Sequence, residues 1–506
     1  MIDNPSLASD PKFSVFVSAN AGTGKTRALT HRVFRLLLNG VKPDSILCVT
    51  YTKAAAAEMQ QRLQNTLSRW AVCSESELIS DLTEMSEPNP SQEKIQISRQ
   101  LFARILDNED GPRIETIHSF CQTILTRFPI EAGVPPGFDL ITEFESNEIL
   151  QRRLLELFSS SASHIKQKLY FLAKFTDERT LCQYLIQILQ KRDIIEKFAT
   201  DPSSAGRFKE HLKMQIGCKS MADFSSEKLS MIAQIKQLPL QKMADVLNRG
   251  GKNDKEAALK IKRWAGLLPQ QAEAEFFLLV DVFFSGSNPK SRIGTKVLRE
   301  LYPELDGYIS EAQRLILEYM QTQNSAYTGE LSFNLLSLAA ELYLSFQHQK
   351  FSRGVLDFDD LIFFTNRLLQ KQQIHAWVRW KLETAIQHVL VDEAQDTSPM
   401  QWSVISNLLS EFFESEDEEP LPRTFFAVGD YKQSIYSFQN ADPNVFIAKQ
   451  AEIKEQADQY RKPFKQVSLS KSYRSSASIL SFIDKVMQNE RTVSYTHLTL
   501  PTTPYV

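Results

Sequence analysis

A glycine-rich stretch near the start of the chain has the residue types needed to bind a phosphate group. Gly22 and Gly24 permit close approach of the backbone to an anion, and Lys25 and Thr26 follow them directly. This lysine can reach terminal phosphates, and this threonine can ligate Mg²⁺. The usual pattern G-x-x-x-x-G-K-[ST] begins with glycine, whereas this chain has Ala19. Alanine is tolerated where no positive φ is needed, so we predict a phosphate loop; a chance glycine-rich turn is the alternative.

Two adjacent carboxylates far downstream could complete such a site. Asp392 and Glu393 directly follow Val389–Val391, an apolar run typical of a buried strand. A carboxylate at the carboxyl end of a parallel strand is well placed to bind Mg²⁺, and a second one can activate water. The sequence therefore predicts that Asp392 ligates the metal and that Glu393 is the general base. The alternative is an acidic strand end at the surface, which a phosphate loop upstream disfavours.

The segments around these residues alternate between strand and helix patterns. Phe13–Ser18 and Ile46–Thr50 have the apolar patterns of buried strands, whereas Lys25–Leu38 and about Lys53–Trp70 repeat apolar residues at helical spacing. Further strand patterns lie at His388–Asp396 and Arg423–Asp430. This order predicts an α/β fold with a parallel sheet flanked by helices.

Between about residues 145 and 350 the pattern becomes mostly helical. Apolar residues recur every three to four positions in Asn147–Ser160 and Glu330–Phe346, with a polar break at Asn248–Lys255 and another at Ser285–Arg292. This period predicts a mostly helical insertion of roughly 200 residues. The acidic run "ESEDEEP", which begins at residue 414, is typical of a solvated loop.

Composition excludes several classes of protein. With 506 residues the chain is too long for a single core, and no apolar run approaches the roughly 20 residues that span a bilayer. Its five cysteines are scattered and form no C-x-x-C pair, which fits a reducing cytosol and argues against a disulfide framework or a zinc cluster. Because the net charge is −3, any nucleic acid must be bound by a local groove.

Six further segments occur in an order that resembles a known family. They are Ile46–Leu63, Thr116–Pro129, Leu356–Ile362, Val391–Trp402, Val428–Pro443 and Leu469–Ser476. Together with the phosphate loop they resemble the motor motifs of the UvrD/Rep/RecB superfamily 1 helicases. Within that superfamily the chain is most similar to the AddA family of bacterial helicase–nucleases, through "FVSANAGTGKT", "TKAAAAEM" and "FPIEAGVPPGF". The resemblance covers most of residues 10–480.

This resemblance implies a RecA-like P-loop NTPase fold and an ATP-dependent helicase that translocates on single-stranded DNA in recombinational repair. Its cofactors would be ATP and Mg²⁺, and its partners would be single- or double-stranded DNA and an AddB-like protein in a heterodimer. The implied ATP contacts are Ala19, Asn20, Ala21, Gly22, Thr23, Gly24, Lys25, Thr26, Arg27 and Tyr473. Thr26 and Asp392 would hold the metal. The implied catalytic residues are Lys25, Asp392, Glu393, Gln433 and Arg474.

In these roles Gln433 would sense the γ-phosphate and link it to the DNA site, Arg474 would contact that phosphate, and Tyr473 would stack on adenine. The implied DNA contacts are Tyr51, Thr52, Thr116, His118, Tyr436 and Phe438. Stacking of bases on aromatic side chains is sequence-tolerant and worth roughly 1–3 kcal/mol per base, so an acidic protein can still bind a strand. Core packing is the alternative for each aromatic residue. The glutamine that reads adenine in relatives has no counterpart upstream of the loop.

The expected domain organisation follows from these motifs. Residues 1–144 and 351–455 would form the first motor domain, residues 145–350 the helical insertion, and residues 456–491 the start of a second motor domain. Residues 492–506 contain no acidic or basic residue apart from one histidine and resemble a non-native tail. Two other interpretations stay open: a standalone UvrD-like helicase without a nuclease and, for the chain as it stands, a non-catalytic nucleotide- or DNA-binding module.

Overall fold

The structure of the protein is a computed structural model. It describes residues 5–20, 22–85, 87, 89–107, 111–201, 203–216, 221–370, 378, 381, 386–414, 422–435 and 441–487. The chain forms two compact units, of which the first comprises Met1–Ser146 and Phe351–Val506 and the second Asn147–Lys350. Within the described residues, none of the helices is long and apolar enough to cross a membrane.

The described strands form one large sheet and two small ones. In chain order they are β1 (Ser14–Ala19), β2 (Ile46–Thr50), β3 (Arg113–Thr116), β4 (Asp139–Leu140), β5 (Phe284–Ser285), β6 (Asn288–Pro289), β7 (Val355–Leu356), β8 (His388–Val391), β9 (Thr424–Gly429) and β10 (Phe464–Leu469). The large sheet has the order β10-β1-β9-β8-β2-β3, and all of its pairs are parallel. The carboxyl ends of these six strands therefore meet at one edge of the sheet.

Helices make up most of the remaining described chain. In the first unit they are α1 (Pro5–Ala8), α2 (Lys25–Leu38), α3 (Lys53–Val72), α4 (Glu75–Glu84), α5 (Gln92–Asp107), α6 (Ile117–Arg127) and α7 (Pro129–Ala132). In the second unit, or extending a few residues beyond it, they are α8 (Glu143–Phe158), α9 (Ser163–Leu172), α10 (Glu178–Leu189), α11 (Arg192–Thr200), α12 (Ser204–Ile216), α13 (Met221–Gln237), α14 (Leu240–Leu247), α15 (Lys252–Gly266), α16 (Pro269–Ala274), α17 (Phe277–Phe283), α18 (Lys296–Leu301) and α19 (Glu304–Ser352). The chain returns to the first unit with α20 (Phe358–Gln370), α21 (Pro399–Glu414), α22 (Pro443–Gln459) and α23 (Ala477–Met487).

The large sheet is buried on both faces, and successive side chains of each strand enter opposite faces. In β1, Phe16 enters one apolar cluster together with residues of α6, α20 and α21, whereas Val15 and Val17 enter a second cluster with α2 and α3. The Phe16 ring stacks on Trp402 with centroids 6.3 Å apart. Helices cover both faces, as expected for a parallel sheet. The α/β P-loop class is confirmed.

A buried arginine fixes α2 against the sheet. The guanidinium group of Arg32 donates to the backbone oxygens of Asp10 and Phe13 at 2.7 and 2.6 Å, and to the hydroxyl of Thr424 at 2.9 Å. Its side chain is fully buried, and burial lowers its pKa to about 9. These bonds join α2 to the start of β9 and so fix the helix that follows the phosphate loop.

Several predicted elements match the structure closely. Lys25–Leu38 and Ile46–Thr50 are a helix and a strand with the predicted bounds, which confirms both predictions. The alanine-rich helix extends to Val72, two residues beyond the predicted end. The helices α4 and α5 between β2 and β3 are additional to the predicted elements. The acidic run that begins at residue 414 lies almost wholly outside the described residues.

One strand beyond the predicted domain boundary at residue 456 belongs to the sheet of the first unit. The motifs place residues 456–491 at the start of a second motor domain, but β10 pairs in parallel with β1 over its whole length, from Ser14↔Phe464 to Ala19↔Leu469. This strand is therefore the edge of the first sheet. The final 15 residues, interpreted as a non-native tail, lie outside the described part of the chain.

The second unit is helical, as its apolar period predicts. Its core centres on aromatic residues such as Trp264 and Tyr319, and the indole of Trp264 donates to the backbone oxygen of Ala272 at 2.8 Å. The predicted polar break at Ser285–Arg292 contains part of the β5–β6 hairpin. The longest of the described helices, α19, has 49 residues. The interpretation of this unit as a motor-domain insertion remains a prediction.

Candidate nucleotide-binding site

The glycine-rich stretch is a strand–loop–helix connection at the carboxyl edge of the large sheet. β1 ends at Ala19, and α2 begins at Lys25. Gly22 and Gly24 have φ of 75° and 87°, conformations that favour glycine. Ala19 is buried and extended, in register with Leu469 of β10, so that position needs no glycine. The replacement of the usual first glycine by alanine therefore leaves the loop geometry intact.

The amino terminus of α2 is free to accept an anion. Gly24 precedes the helix with no side-chain cap, and the first helical turn contains no acidic residue. The first backbone N–H groups of a helix lack partners within it, and the helix dipole favours negative charge there. The hydroxyl of Thr23 donates to the backbone oxygen of Asn20 at 2.7 Å and so closes the loop beneath this end. Ala21 lies outside the described residues.

The structure brings the predicted lysine and the predicted general base into contact. The Nζ atom of Lys25 donates to Oε2 of Glu393 at 2.6 Å, although the two residues are 368 positions apart in the sequence. The Lys25 side chain is 9% exposed and that of Glu393 is 39% exposed. Glu393 has a φ of 46°, which is strained for a residue other than glycine. Such strain is concentrated at functional sites.

The second carboxylate of this pair is almost fully buried. Asp392 directly follows β8, and its N–H donates to the backbone oxygen of Val49 in β2 at 2.9 Å. Burial, and secondarily the negative charge of Glu393, raise the pKa of Asp392 to about 6. A bound cation would relieve this desolvated charge, so the donor set fits Mg²⁺. No cluster of three or more His, Cys, Asp or Glu side chains suited to a metal occurs among the described residues.

This raised pKa predicts that Asp392 destabilises the nucleotide-free protein at neutral pH. Because the folded-state pKa lies above the ordinary value of 3.8, the contribution of Asp392 to stability is complete below pH 3.8 and is lost as pH rises through 6. We therefore expect Asp392→Asn to raise the free energy of unfolding at pH 7.5 by about 1–3 kcal/mol. Urea denaturation at pH 7.5 and at about pH 4.5 measures this difference.

The gain should be much smaller at the lower pH, where the folded protein already holds Asp392 protonated. Asp139→Asn, at an exposed carboxylate, is the matched control and should change stability little at either pH. An equal gain for Asp392→Asn at both pH values would contradict the prediction, because it would have to arise from packing and not from charge.

A buried glutamine outside the predicted set joins this site to the next strand. Gln395 donates from Nε2 to Oε2 of Glu393 at 2.8 Å, and its Oε1 accepts from the N–H of Asp430 at 2.9 Å. Asp430 directly follows β9, and its carboxylate accepts from Nε2 of Gln433 at 2.6 Å. Gln433, the predicted γ-phosphate sensor, therefore connects to Glu393, the predicted general base, through two intermediate residues, Asp430 and Gln395. Nothing in the sequence "DEAQD" indicates that its glutamine contacts both Glu393 and Asp430.

Residues near the end of the described chain lie against the phosphate loop. The N–H of Tyr473 donates to the backbone oxygen of Gly22 at 2.8 Å. A Cβ atom placed on Gly22 would come within 2.6 Å of the Cβ of Arg474, so this glycine is required by the close approach as well as by its φ. The structure thus brings both residues, predicted from the motif "SYRS", to the loop.

The exposed ring of Tyr473 is flanked by cations. The guanidinium carbon of Arg27 lies 5.6 Å from the ring centroid, and Nζ of Lys471 lies 5.3 Å from it. Arg27 also pairs with Glu84 at the end of α4, an element that the sequence patterns do not predict. An aromatic face and a guanidinium plane are the groups on which a nucleobase can stack.

Comparison with known proteins agrees with this arrangement. The family model described as the UvrD/REP helicase N-terminal domain matches residues 5–454. The chain belongs to the UvrD/REP helicase family. The chain is also similar to relatives that are named as ATP-dependent helicase/nuclease subunits of the AddA type, so the predicted resemblance to AddA is confirmed.

Three of these relatives define how far the similarity extends. The protein of Lactobacillus helveticus is 23% identical over 95% of this chain, and that of Pediococcus pentosaceus is 25% identical over 94%. The protein of Latilactobacillus sakei is 25% identical over 94% of the chain. The aligned region covers 39%, 37% and 53% of these three relatives. This chain of the UvrD/REP family therefore spans about half or less of the length of the relatives it matches.

Four of the six predicted DNA contacts of this UvrD/REP family member lie at the carboxyl ends of β2 and β3, on the edge of the sheet that also carries the phosphate loop. Tyr51 and Thr52 follow β2, and Thr116 ends the neighbouring strand β3. Thr52 and Thr116 accept from backbone N–H groups as the N-caps of α3 and α6, a structural role that explains both residues without DNA. His118 packs edge-on against Phe358 with ring centroids 5.9 Å apart, and burial lowers its pKa. Their contact with DNA stays a prediction. Tyr436 and Phe438 lie outside the described residues.

Proposed function

We propose that the whole protein is an ATP-dependent helicase that translocates on single-stranded DNA and acts, with an AddB-like partner, in repair of double-strand breaks. The observation that carries this proposal is the contact between Lys25 of the phosphate loop and Glu393 after β8. A loop lysine, a buried strand-end carboxylate and a neighbouring general base are the parts that ATP hydrolysis needs. Support for a nuclease comes from the names of the relatives, which describe helicase/nuclease subunits.

The residues of the site fit Mg²⁺–ATP. Phosphate oxygens would be bound by the amino terminus of α2 and by the loop at Gly22 and Gly24. Lys25 would then bind a phosphate in place of Glu393. Thr26 and Asp392 would hold the metal ion, which neutralises phosphate charge and fixes the geometry of the triphosphate. Tyr473 would stack on the nucleobase, with Arg27 nearby.

Each residue then has a defined task in hydrolysis. Once Lys25 binds a phosphate, the carboxylate of Glu393 is free to accept a proton from water. Gln395 holds that carboxylate in place through its amide. Arg474, beside the phosphate loop, would stabilise the negative charge that develops on the transferred phosphoryl group. Gln433 would report the presence of that group to the segment that follows it.

A second function is proposed for the chain as it stands. Because the chain spans only 39% and 37% of two relatives, the residues that close the ATP site from the other side can lie outside it. The 506-residue chain would then bind nucleotide and DNA without unwinding a duplex. A standalone UvrD-like helicase is the third candidate, which the coding sequence downstream of Arg491 distinguishes by the presence or absence of a nuclease domain.

Titration with a fluorescent N-methylanthraniloyl (mant) derivative of ATP, followed by an assay of DNA-stimulated turnover, tests the proposal on this chain. We expect weak, Mg²⁺-dependent binding and slow hydrolysis. A chain that binds no mant-ATP in the presence of Mg²⁺ would refute the nucleotide site. Robust unwinding by the 506-residue chain alone would refute the view that residues outside it complete the site.

A further inference from the structure

Gln395 lies between Glu393, the proposed general base, and Asp430, which follows β9. Its side chain is 1% exposed, and it belongs to the turn that follows Glu393. Its amide nitrogen donates to Oε2 of Glu393 at 2.8 Å and to Oδ2 of Asp396 at 3.1 Å. Its amide oxygen accepts from the N–H of Asp430 at 2.9 Å. Only one orientation of the amide satisfies two carboxylates and one N–H group, so the hydrogen bonds fix its direction.

The end of β9 is shaped to fit this amide. A Cβ atom on Gly429 would lie 2.6 Å from Oε1 of Gln395 and 3.2 Å from its backbone nitrogen. Gly429 does not have a positive φ, so its backbone conformation does not require glycine. The position is therefore restricted by its neighbours, of which Oε1 of Gln395 is the nearest and the Phe446 ring, at 3.3 Å, the next side chain. The turn after β8 and the end of β9 meet at this contact.

From Asp430 the connection continues into the loop that precedes residues 436–440. The Asp430 carboxylate accepts from the N–H of Lys432 at 3.1 Å and from Nε2 of Gln433 at 2.6 Å. The Asp430 N–H group, which Gln395 holds, lies at the base of this turn. A displacement of the Gln395 amide would therefore break or lengthen the hydrogen bond that holds the Asp430 N–H group, and with it the turn formed by residues 430–433.

Nucleotide binding must alter the other end of this connection. Lys25 and Gln395 donate to the same atom, Oε2 of Glu393. If the ammonium group of Lys25 binds a phosphate instead of Glu393, Gln395 is the donor to Oε2 of Glu393 that remains among the described residues. The carboxylate is then held by one neutral amide instead of an ammonium and an amide, and its position depends on Gln395.

We propose that Gln395 is the positioning residue that transmits the nucleotide state of Glu393 to the 430–435 loop. The inference rests on the proposed function, because it requires a phosphate to replace Glu393 at Lys25. Gln395 does not touch the nucleotide itself. It acts by holding the general base with its nitrogen and the Asp430 turn with its oxygen, so the two cannot move independently.

Hydrogen–deuterium exchange of the 506-residue chain tests this link without requiring catalysis. Gln395→Met keeps the side-chain length but removes both hydrogen-bonding groups. In the nucleotide-free chain we expect amide exchange in peptides covering residues 428–435 to rise about tenfold, as loss of one buried hydrogen bond allows. Adding the non-hydrolysable analogue AMP-PNP with Mg²⁺ should slow exchange in this segment of the parent chain but not of the variant.

Gln401→Met is the matched control, since Gln401 caps α21 by accepting from the N–H of Ser398 and has no contact with Glu393 or Asp430 among the described residues. It should leave exchange in residues 428–435 and its response to AMP-PNP as in the parent. Parent-like exchange in Gln395→Met would overturn the proposal. Affinity for mant-ATP should stay close to that of the parent in both variants, which separates transmission from binding.

Gln395→Glu tests the contact with Glu393 separately from the contact with Asp430. It also provides the test if Gln395→Met fails to fold. A glutamate keeps an oxygen that accepts from Asp430, but its carboxylate repels Glu393 and Asp396 instead of donating to them. We expect parent-like exchange at residues 428–435 without nucleotide and no response to AMP-PNP. A parent-like response would show that the donor to Glu393 is dispensable and would overturn the proposal.

The parent chain distinguishes failure of this inference from failure of the proposed function. If the parent binds no mant-ATP with Mg²⁺, the nucleotide site itself is refuted, and the transmission proposal falls with it. If the parent binds mant-ATP but exchange at residues 428–435 does not respond to AMP-PNP, the transmission proposal alone is refuted.

Discussion

Replacement of Lys25 by alanine is expected to abolish ATP hydrolysis by the full-length protein. The lysine ammonium faces Glu393, the proposed general base, and it is the cation that the loop would offer to a terminal phosphate. Among the described residues, no other lysine or arginine forms an ion pair with Glu393. Loss of a preorganised charge at a transferred phosphoryl group should lower turnover by roughly 10²–10³-fold or more. Steady-state phosphate release in the presence of single-stranded DNA measures this effect.

Lys12→Ala is a suitable control, because Lys12 is an exposed lysine of the same unit that precedes β1. It should leave turnover unchanged. Circular dichroism should show that Lys25→Ala retains its fold, since the lysine packs at the edge of the sheet and not in either apolar cluster. Retained turnover in a folded Lys25→Ala protein would refute the assignment of the loop as a phosphate site.

Replacement of Glu393 by glutamine should separate nucleotide binding from cleavage. Glutamine keeps the size of the side chain and an oxygen that can accept from Lys25, but it cannot take a proton from water. We expect the affinity for mant-ATP to remain within a few-fold of the parent while hydrolysis falls by about 10²–10⁴-fold, the usual contribution of a general base. Equilibrium titration and single-turnover hydrolysis in the full-length protein measure the two effects.

Glu58→Gln is the corresponding control on α3, where the carboxylate pairs with Arg62 in an exposed position. That pair should contribute little, so neither binding nor cleavage should change. If Glu393→Gln loses binding and cleavage to the same degree, Glu393 has a structural role in holding Lys25, and another group must activate water.

The two predictions differ in how they depend on the fold. The roles of Lys25 and Thr26 follow from a short run of consecutive residues, because a strand, a glycine-rich turn and a helix are local structures. The role of Glu393 depends on β8 lying close enough to β1 in the sheet for the two loops to meet. The strand order β10-β1-β9-β8-β2-β3, in which only β9 separates them, provides this proximity.

Sequence reasoning fails where a residue's role depends on partners that are distant in the chain. Arg32 is a charged residue of α2, yet it is fully buried, because three oxygens from segments outside α2 accept hydrogen bonds from the two terminal nitrogens of its guanidinium group. The motifs place residues 456–491, and with them β10, at the start of a second domain, whereas β10 pairs with β1 of the first sheet.

Residue types and their spacing were enough to predict the glycine-rich loop that tolerates Ala19, the two strand-end carboxylates, the parallel α/β fold and the helical character of residues 145–350. These follow from periodicity and from residue types at fixed spacing, which need no knowledge of distant contacts. The contact of Lys25 with Glu393, the link from Glu393 through Gln395 to Asp430, and the position of Tyr473 on the glycine-rich loop are visible in the folded chain but not in the sequence. The reason is that a parallel sheet gathers the carboxyl ends of strands that are far apart in sequence, and their order in the sheet is set by packing on both faces.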